Sequence, residues 1–292
     1  MKKKTLLCIM IVCILLALVA GVILYIQMLR KRVDLIIFMG QSNMAGRGVL
    51  SDVWMDSAPK VTEGAGWEFR AISDPTGLYP IEEPFGVKEN LVGAIDDGNK
   101  KTGSLVSSFV NAYYAENGKV PVIAVSASKG GTAIAGWTGG GVYLPDAIQR
   151  LESARKFAED SGRRVRHVYA VWCQGETDAD NHTAKDAYAR GFNDLVSRLK
   201  STGVEKVFMI SIGHINDENH RDLYDEMISW QSELADQHPD VVMVSDAFVT
   251  MRDRGLMKDT FHYYQAGYNE CGEIAGRNAA MYVTKGKTGE LH

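Results

Sequence analysis

The chain of 292 residues carries a formal net charge of -4, with 46% hydrophobic and 23% charged residues. This composition excludes a disordered chain, a collagen-like chain and a small domain held together by disulfides. Residues 1–32 contain six basic and no acidic side chains, so the remaining 260 residues carry 26 basic against 36 acidic groups. Because an acidic body repels phosphate groups, the composition also argues against a nucleic-acid-binding domain.

The first 32 residues predict a membrane anchor. Leu6–Ile26 contains 21 residues without a charge, fourteen of them Leu, Ile or Val. A helix of this length covers about 30 Å, the thickness of one hydrocarbon core. A cleaved signal peptide is the alternative, but its apolar region spans only about 7–15 residues and ends in a small-residue cleavage site. We therefore expect one uncleaved transmembrane helix in residues 1–32, followed by a single domain in residues 33–292.

Beyond the anchor, short apolar runs alternate with helical patterns. Five runs rich in Val and Ile predict buried strands: Val33–Met39, Val120–Ser126, Val165–Trp172, Lys206–Ile212 and Val241–Ser245. Five segments predict helices, most of them closely followed by Gly or Pro: Ser104–Asn117, Asp146–Asp160, Thr183–Thr202, Arg221–Gln237 and Gln265–Val283. The alternation predicts an α/β fold with a parallel sheet of about five strands and helices on both faces. Leu50–Asn99 fits no period, which is typical of a long loop that shapes a binding site.

Polar segments follow three of the predicted strands, where open α/β sheets bind their ligands. These are Gly40–Gly48, Ser128–Thr132 and Cys173–Asp178, and a fourth polar segment, Asp259–His262, lies near the end of the chain. Together they supply a serine, glycine amides, a side-chain amide and an Asp-x-x-His pair. These are the components of an acyl-transfer site: a nucleophile, oxyanion donors, a base and an acid that orients the base.

The same segments resemble a known enzyme family. Gly-Gln-Ser-Asn-Met at residues 40–44, Gln-Gly-Glu-x-Asp at residues 174–178 and the late Asp-x-x-His are similar to the sialate O-acetylesterase-like and acetylxylan esterase branch, the carbohydrate esterase family 6 type, of the SGNH hydrolases. The resemblance covers roughly Val33–Val283 and implies a single flavodoxin-like SGNH domain. It also implies a serine esterase that removes O-acetyl groups from carbohydrate, either acetylated polysaccharide or sialic acid, without a metal or an organic cofactor.

Two other functions remain open at this point. The first is an SGNH lipase or thioesterase with a different acyl substrate. The second is a non-catalytic, membrane-tethered glycan-binding module. Because acetylated polysaccharides lie outside the cell, we expect the catalytic domain to be extracytoplasmic.

The catalytic residues follow from the residue types and the resemblance together. Ser42 is the expected nucleophile, although a serine at this position also suits a helix cap. His262 is the expected base, and Asp259 lies three residues earlier, close enough to orient the imidazole. The resemblance implies an oxyanion hole formed by the Ser42 and Gly131 N–H groups and the Gln174 side chain.

Further residues have roles that the sequence leaves open. Glu176 is a candidate helper acid beside the histidine, or a carboxylate that only fixes a loop. The expected substrate contacts are Gln41, Asn43, Thr132 and Trp137, of which the tryptophan suits a buried core equally well. No Cys or His spacing indicates a metal site, and pairing of Cys173 with Cys271 stays open.

Overall fold

The computed structural model describes residues 2–30 and 32–292, and within the first helix it describes side chains only at residues 9–22 and 25. The described residues form one seven-stranded sheet. Its strands are β1 (Arg32–Gly40), β2 (Gly66–Arg70), β3 (Asp74–Tyr79), β4 (Val122–Ser128), β5 (Arg164–Cys173), β6 (Lys206–Ile210) and β7 (Val241–Ser245). In space the order is β3-β2-β4-β1-β5-β6-β7, and all neighbours are parallel except β2 and β3.

The predicted sheet of five parallel strands is therefore wrong, because the sheet is mixed and has two further strands. Both lie inside Leu50–Asn99, the segment interpreted as a loop. Their sequences, GWEFR and DPTGLY, contain Gly, Pro and charged residues and show no apolar run. β3 is an edge strand and mostly half-exposed, and an edge position tolerates the proline at its second residue. The pairing of β2 with β4 is what makes this segment a strand.

Helices cover both faces of the sheet. They are α1 (Lys2–Arg30), α2 (Ser42–Ala45), α3 (Val106–Glu116), α4 (Tyr143–Asp160), α5 (Glu176–Asp180), α6 (Lys185–Ser201), α7 (Asp225–Gln237), α8 (Phe248–Met251) and α9 (Gln265–Lys285), with a 3-10 turn at Ile134–Trp137. Alternate residues of the central strand β1 point to opposite faces. Leu35 and Ile37 belong to the core formed with α4 and α6, whereas Ile36 and Phe38 belong to the core formed with α3 and α9.

The membrane prediction is also corrected. A helix needs about 20 consecutive apolar residues to span a bilayer. Within the described ranges, no helix combines the length and apolar character that a membrane crossing requires. The predicted N-terminal transmembrane anchor is therefore wrong, and so is the membrane-anchored localisation that was based on it.

A buried arginine fixes part of the long segment between β3 and α3. The Arg150 side chain is 1% exposed, and all five of its N–H groups donate hydrogen bonds. Two go to the Asp146 carboxylate in the same helix, two to the carbonyl groups of Glu89 and Ile95, and one to the Ser126 carbonyl in β4. This arrangement holds the segment against the sheet, next to the carboxyl ends of the strands.

Candidate active site

The candidate nucleophile lies at the sharp turn from β1 into α2. Gly40 has φ = +136°, and a Cβ there would lie 2.1 Å from the Cys173 carbonyl oxygen. Only glycine fits this position, because a side chain would push β1 and β5 apart. Gln41 precedes the helix, and Ser42 is its first residue and 8% exposed. The Met44 and Ala45 N–H groups donate to the Gln41 carbonyl, whereas the Ser42 N–H donates to no described residue and is available to a ligand.

The three residues that the sequence groups as serine, base and acid lie together. The Ser42 Oγ is 3.0 Å from the His262 Nε2. On the other side of the ring, the His262 Nδ1 is 3.0 Å from each carboxylate oxygen of Asp259. A carboxylate can only accept, so Nδ1 carries the proton and Nε2 is left to accept the hydroxyl hydrogen of Ser42.

The electrostatics keep the histidine neutral and the aspartate charged. Burial lowers the pKa of His262 below its ordinary value of 6.5, although the Asp259 carboxylate acts in the opposite direction. Burial raises the pKa of Asp259, but hydrogen bonds from the Phe261 and His262 N–H groups and from the imidazole outweigh it and hold the pKa below its ordinary range. A neutral imidazole oriented by an ionised carboxylate can act as a general base.

The glycines after β4 face the same serine. A Cβ at Gly130 would lie 3.3 Å from the Ser42 Cβ and 2.6 Å from Arg47 Nη2. The Gly130 N–H donates to Asp97 Oδ1 at 2.9 Å, and the other Asp97 oxygen forms an ion pair with Arg47 at 2.7 Å. Gly131 has φ = +68° and lines the pocket in front of the serine. Asp97 thus fixes the peptide that precedes the proposed Gly131 donor.

Gln174, the predicted side-chain oxyanion donor, is not free to donate into the pocket. It is completely buried, and its Nε2 donates both to the Thr132 carbonyl at 2.9 Å and to Asp178 Oδ2 at 2.6 Å. Because the NH2 group carries only two hydrogens, both are used. Gln174 is also absent from the pocket lining.

A different glutamine, Gln41, presents its amide to the pocket. Its Oε1 accepts hydrogen bonds from the Gly175 and Thr177 N–H groups, both at 3.3 Å. These backbone donors decide which end of the amide is the oxygen. The NH2 group therefore lies on the other side, where no described residue accepts a hydrogen bond from it, and Gln41 lines the pocket.

Glu176 and Asn43 bond to each other and not to the reacting groups. The Asn43 Nδ2 donates to Glu176 Oε1 at 2.6 Å and to the Phe261 carbonyl at 3.1 Å, while Tyr268 donates to the Asn43 Oδ1 at 2.7 Å. No hydrogen bond joins Glu176 to His262 in the described part of the chain. Burial raises the pKa of Glu176 to about 7. Asn43 thus ties the histidine loop to α5, and its side chain is not available to a substrate.

The two remaining predicted substrate contacts lie below the pocket. Trp137 is fully buried, and its Nε1 donates to the Thr132 Oγ1 at 2.9 Å. Thr132 is 3% exposed, and neither residue lines the pocket. Trp137 packs edge-on against Trp172 and therefore belongs to the core, which is the alternative that the sequence left open.

The pocket in front of Ser42 has a volume of about 280 Å³. Its lining is formed by Gln41, Ser42, Arg47, Lys100, Gly130, Gly131, Glu176, Thr177, Asp180, Phe261 and His262. Sequence reasoning missed Arg47, Lys100 and Asp180. Arg47 is part of the Gly40–Gly48 segment and could have been found there, whereas Lys100 reaches the site only through the fold of the long segment.

Within the described ranges, no group of three or more His, Cys, Asp and Glu residues is arranged to hold a metal ion. Cys173 and Cys271 are buried free thiols. Burial raises the pKa of both thiols, so they are unreactive at neutral pH.

Comparison with solved structures shows where else this fold occurs. An Arabidopsis thaliana protein is 24% identical, with 85% of this chain and 97% of that chain covered and a TM-score of 0.63. A carbohydrate acetylesterase from Xanthomonas citri is 15% identical, with 87% of this chain and 57% of that chain covered and a TM-score of 0.55. At these identities the likeness shows a shared fold. No curated protein sequence matches the chain.

The family itself is shown by a sequence model. The family described as carbohydrate esterase, sialic acid-specific acetylesterase matches residues 32–281. The chain therefore belongs to this family of carboxylic ester hydrolases. It is a carbohydrate O-acetylesterase, which confirms the esterase branch and the activity predicted from the sequence motifs.

Proposed function

We propose that Ser42, His262 and Asp259 are the catalytic triad of this O-acetylesterase, within a catalytic domain of residues 33–292. The observation that carries the proposal is the continuous hydrogen-bonded path from the Ser42 Oγ through both ring nitrogens of His262 to the Asp259 carboxylate. The same arrangement performs acyl transfer on several unrelated folds, so it is recognised by its geometry.

The reaction proceeds in two halves. The Ser42 Oγ attacks the acetyl carbonyl carbon while the His262 Nε2 takes the hydroxyl proton, and Asp259 stabilises the imidazolium that forms. His262 then gives this proton to the sugar oxygen as the ester bond breaks, which leaves an acetyl group on Ser42. A water molecule, deprotonated by His262, attacks the acetyl-serine carbonyl carbon. His262 then returns the proton to the Ser42 Oγ as the acyl bond breaks, which releases acetate and free Ser42.

Three donors suit the negative oxygen of the tetrahedral intermediates. They are the Ser42 N–H in the first turn of α2, the Gly131 N–H and the Gln41 side-chain NH2. We assign the third donor to Gln41 and not to Gln174, because the Gln174 NH2 already donates to two buried acceptors. The Gln41 NH2 is held in place by the two backbone bonds to its oxygen.

The pocket favours a small acyl group on a polar alcohol. Its volume is about 280 Å³, and besides His262 four ionisable side chains contribute to its walls: Arg47, Lys100, Glu176 and Asp180. A long alkyl chain would desolvate these groups without compensation, whereas sugar hydroxyls can bond to them. This argues for an acetylated carbohydrate substrate and against a lipase or a long-chain thioesterase.

Covalent labelling combined with acetate release tests the proposal. The full chain should react with a fluorophosphonate at Ser42, and it should release acetate from members of a panel of acetylated xylan, sialic acid and peptidoglycan fragments. Ser42→Ala should abolish both signals. Ser128→Ala is the matched control, because Ser128 is a buried serine at the end of the neighbouring strand. Labelling at another serine, or acetate release by Ser42→Ala at the wild-type rate, would refute the assignment.

A further inference from the structure

A second groove lies beside the active-site pocket and has no part in the mechanism above. Its volume is about 310 Å³, and the short helix α5 separates it from the pocket. Thr177 and Asp180 line the pocket, whereas Ala179 and His182 line the groove. Asp180 of the pocket and Ala179 of the groove are consecutive residues of α5. The two depressions are therefore immediate neighbours on the surface.

The groove has an apolar floor and an aromatic wall. Leu223 and the buried Met227 contribute the floor, and the partly exposed Trp230 of α7 contributes the wall. The indole N–H of Trp230 donates no hydrogen bond to any described residue. An indole offers a large flat apolar face together with one polar donor. A pyranose ring is complementary to it, because one face of the ring consists of C–H groups and its edge carries hydroxyls.

Polar groups surround this aromatic wall. His182 and Glu226 are exposed at the rim, and neither forms an ion pair with another described residue. Lys185, which also lines the groove, is by contrast held in an ion pair with Glu233 at 2.6 Å. The rim thus offers one carboxylate acceptor and one imidazole for hydroxyl groups, without a strong net charge. This suits a neutral glycan better than a phosphate or a polyanion.

We infer that the groove is a subsite for the sugar unit next to the acetylated one, so that the substrate is a glycan of two or more sugars that crosses α5. The inference rests on the proposed function, because it requires the acetylated sugar to be bound at Ser42. The groove then contributes to binding and takes no part in the chemistry. Its effect should appear in KM for oligosaccharides and be absent for esters too small to reach it.

The test compares a long and a short substrate in variants of the full chain. The long substrate is whichever acetylated oligosaccharide the wild-type protein deacetylates fastest, and the short one is nitrophenyl acetate. Trp230→Ala should raise KM for the oligosaccharide about five- to tenfold and leave kcat/KM for nitrophenyl acetate unchanged. Trp230→Phe should retain most of the oligosaccharide affinity, because it keeps an aromatic face. Trp67→Ala is the control, since Trp67 is a partly buried tryptophan that pairs with the beginning of β4, far from the carboxyl ends of the strands.

The possible results separate the two proposals. An unchanged oligosaccharide KM in Trp230→Ala, or equal losses on both substrates, would overturn the subsite. Failure of the wild-type chain to hydrolyse any acetate ester would instead overturn the proposed function. As a second measurement, the Ser42→Ala protein should bind the deacetylated oligosaccharide, and the additional Trp230→Ala change should weaken that binding by the same five- to tenfold factor.

Discussion

Separate substitutions of Gln41 and Gln174 offer the most direct test of the oxyanion hole. Gln41→Glu keeps the oxygen that accepts the Gly175 and Thr177 N–H bonds but removes the NH2 donor. Loss of one oxyanion donor lowers kcat by about 10²–10³, which corresponds to about 2.7–4 kcal/mol. The new carboxylate near the developing oxyanion acts in the same direction. Gln41→Leu, which adds no charge, should therefore also lower kcat by at least about 10².

The matched change at Gln174 should affect stability instead. Gln174→Leu removes both N–H bonds, which leaves the Thr132 carbonyl without its donor, whereas Asp178 Oδ2 keeps the Ile134 N–H. A buried polar group that loses its partner costs about 1–3 kcal/mol, so the free energy of unfolding should fall by at least about 1 kcal/mol. The kcat of the folded fraction should change far less than in the Gln41 variants.

The assay measures kcat and KM for nitrophenyl acetate together with the thermal midpoint of each variant. Because an oxyanion donor acts in the transition state, KM should change little in the Gln41 variants. The reasoning is refuted if Gln41→Leu keeps a kcat near that of the wild-type protein while Gln174→Leu, with an unchanged thermal midpoint, loses two orders of magnitude.

Three further predictions concern charged groups around the site. Asp97→Ala removes the acceptor of the Gly130 N–H, so kcat should fall about ten- to a hundredfold, which is less than the effect of losing an oxyanion donor. Asp96→Ala is the control and should keep the wild-type kcat, because the Asp96 side chain does not contact Gly130. His262 must be neutral to accept a proton, and burial lowers its pKa. The acid limb of the plot of kcat/KM against pH should therefore have its midpoint below 6.5. A midpoint above that value would contradict the assignment of His262 as the base. Glu176 has an ordinary pKa of 4.5 that burial raises to about 7, so the unfolded state ionises first as the pH rises. The wild-type protein should therefore lose about 3 kcal/mol of stability relative to Glu176→Gln between pH 4.5 and 7, as measured by denaturant unfolding at each pH, and parallel curves would exclude this origin.

Local sequence patterns were sufficient to predict the five strands that helices cover on both faces. β1, β4, β5, β6 and β7 coincide with apolar runs because strands covered by helices on both faces need apolar residues at nearly every position. The residues Ser42, Asp259 and His262 could also be grouped in advance. Ser42 lies in a motif at a strand end, where open α/β sheets bind their ligands, and the family resemblance joins the late Asp-x-x-His motif to it.

Other features depended on neighbours that lie far away in the chain. β2 and β3 carry no apolar pattern; β2 is a strand because it pairs with the edge of β4, and β3 because it pairs with β2. The apolar content of residues 1–32 suggested a membrane span that the described structure contradicts. For β2 and β3 composition alone was a poor guide, because the state of these segments depends on the strands with which they pair.

The assignment of hydrogen bonds was likewise decided by the tertiary structure. Gln41 and Gln174 both stand beside a strand end and look alike in the sequence, but only Gln174 meets two buried acceptors. Asn43 and Glu176 lie 133 positions apart in the chain, yet they bond to each other at 2.6 Å. An amide or a carboxylate is equally suited to many roles, and its role is set by the partners within about 3 Å. The sequence by itself therefore determined which chemical groups gather at the edge of the sheet, and the fold decided which of them face the pocket and which are used to hold it together.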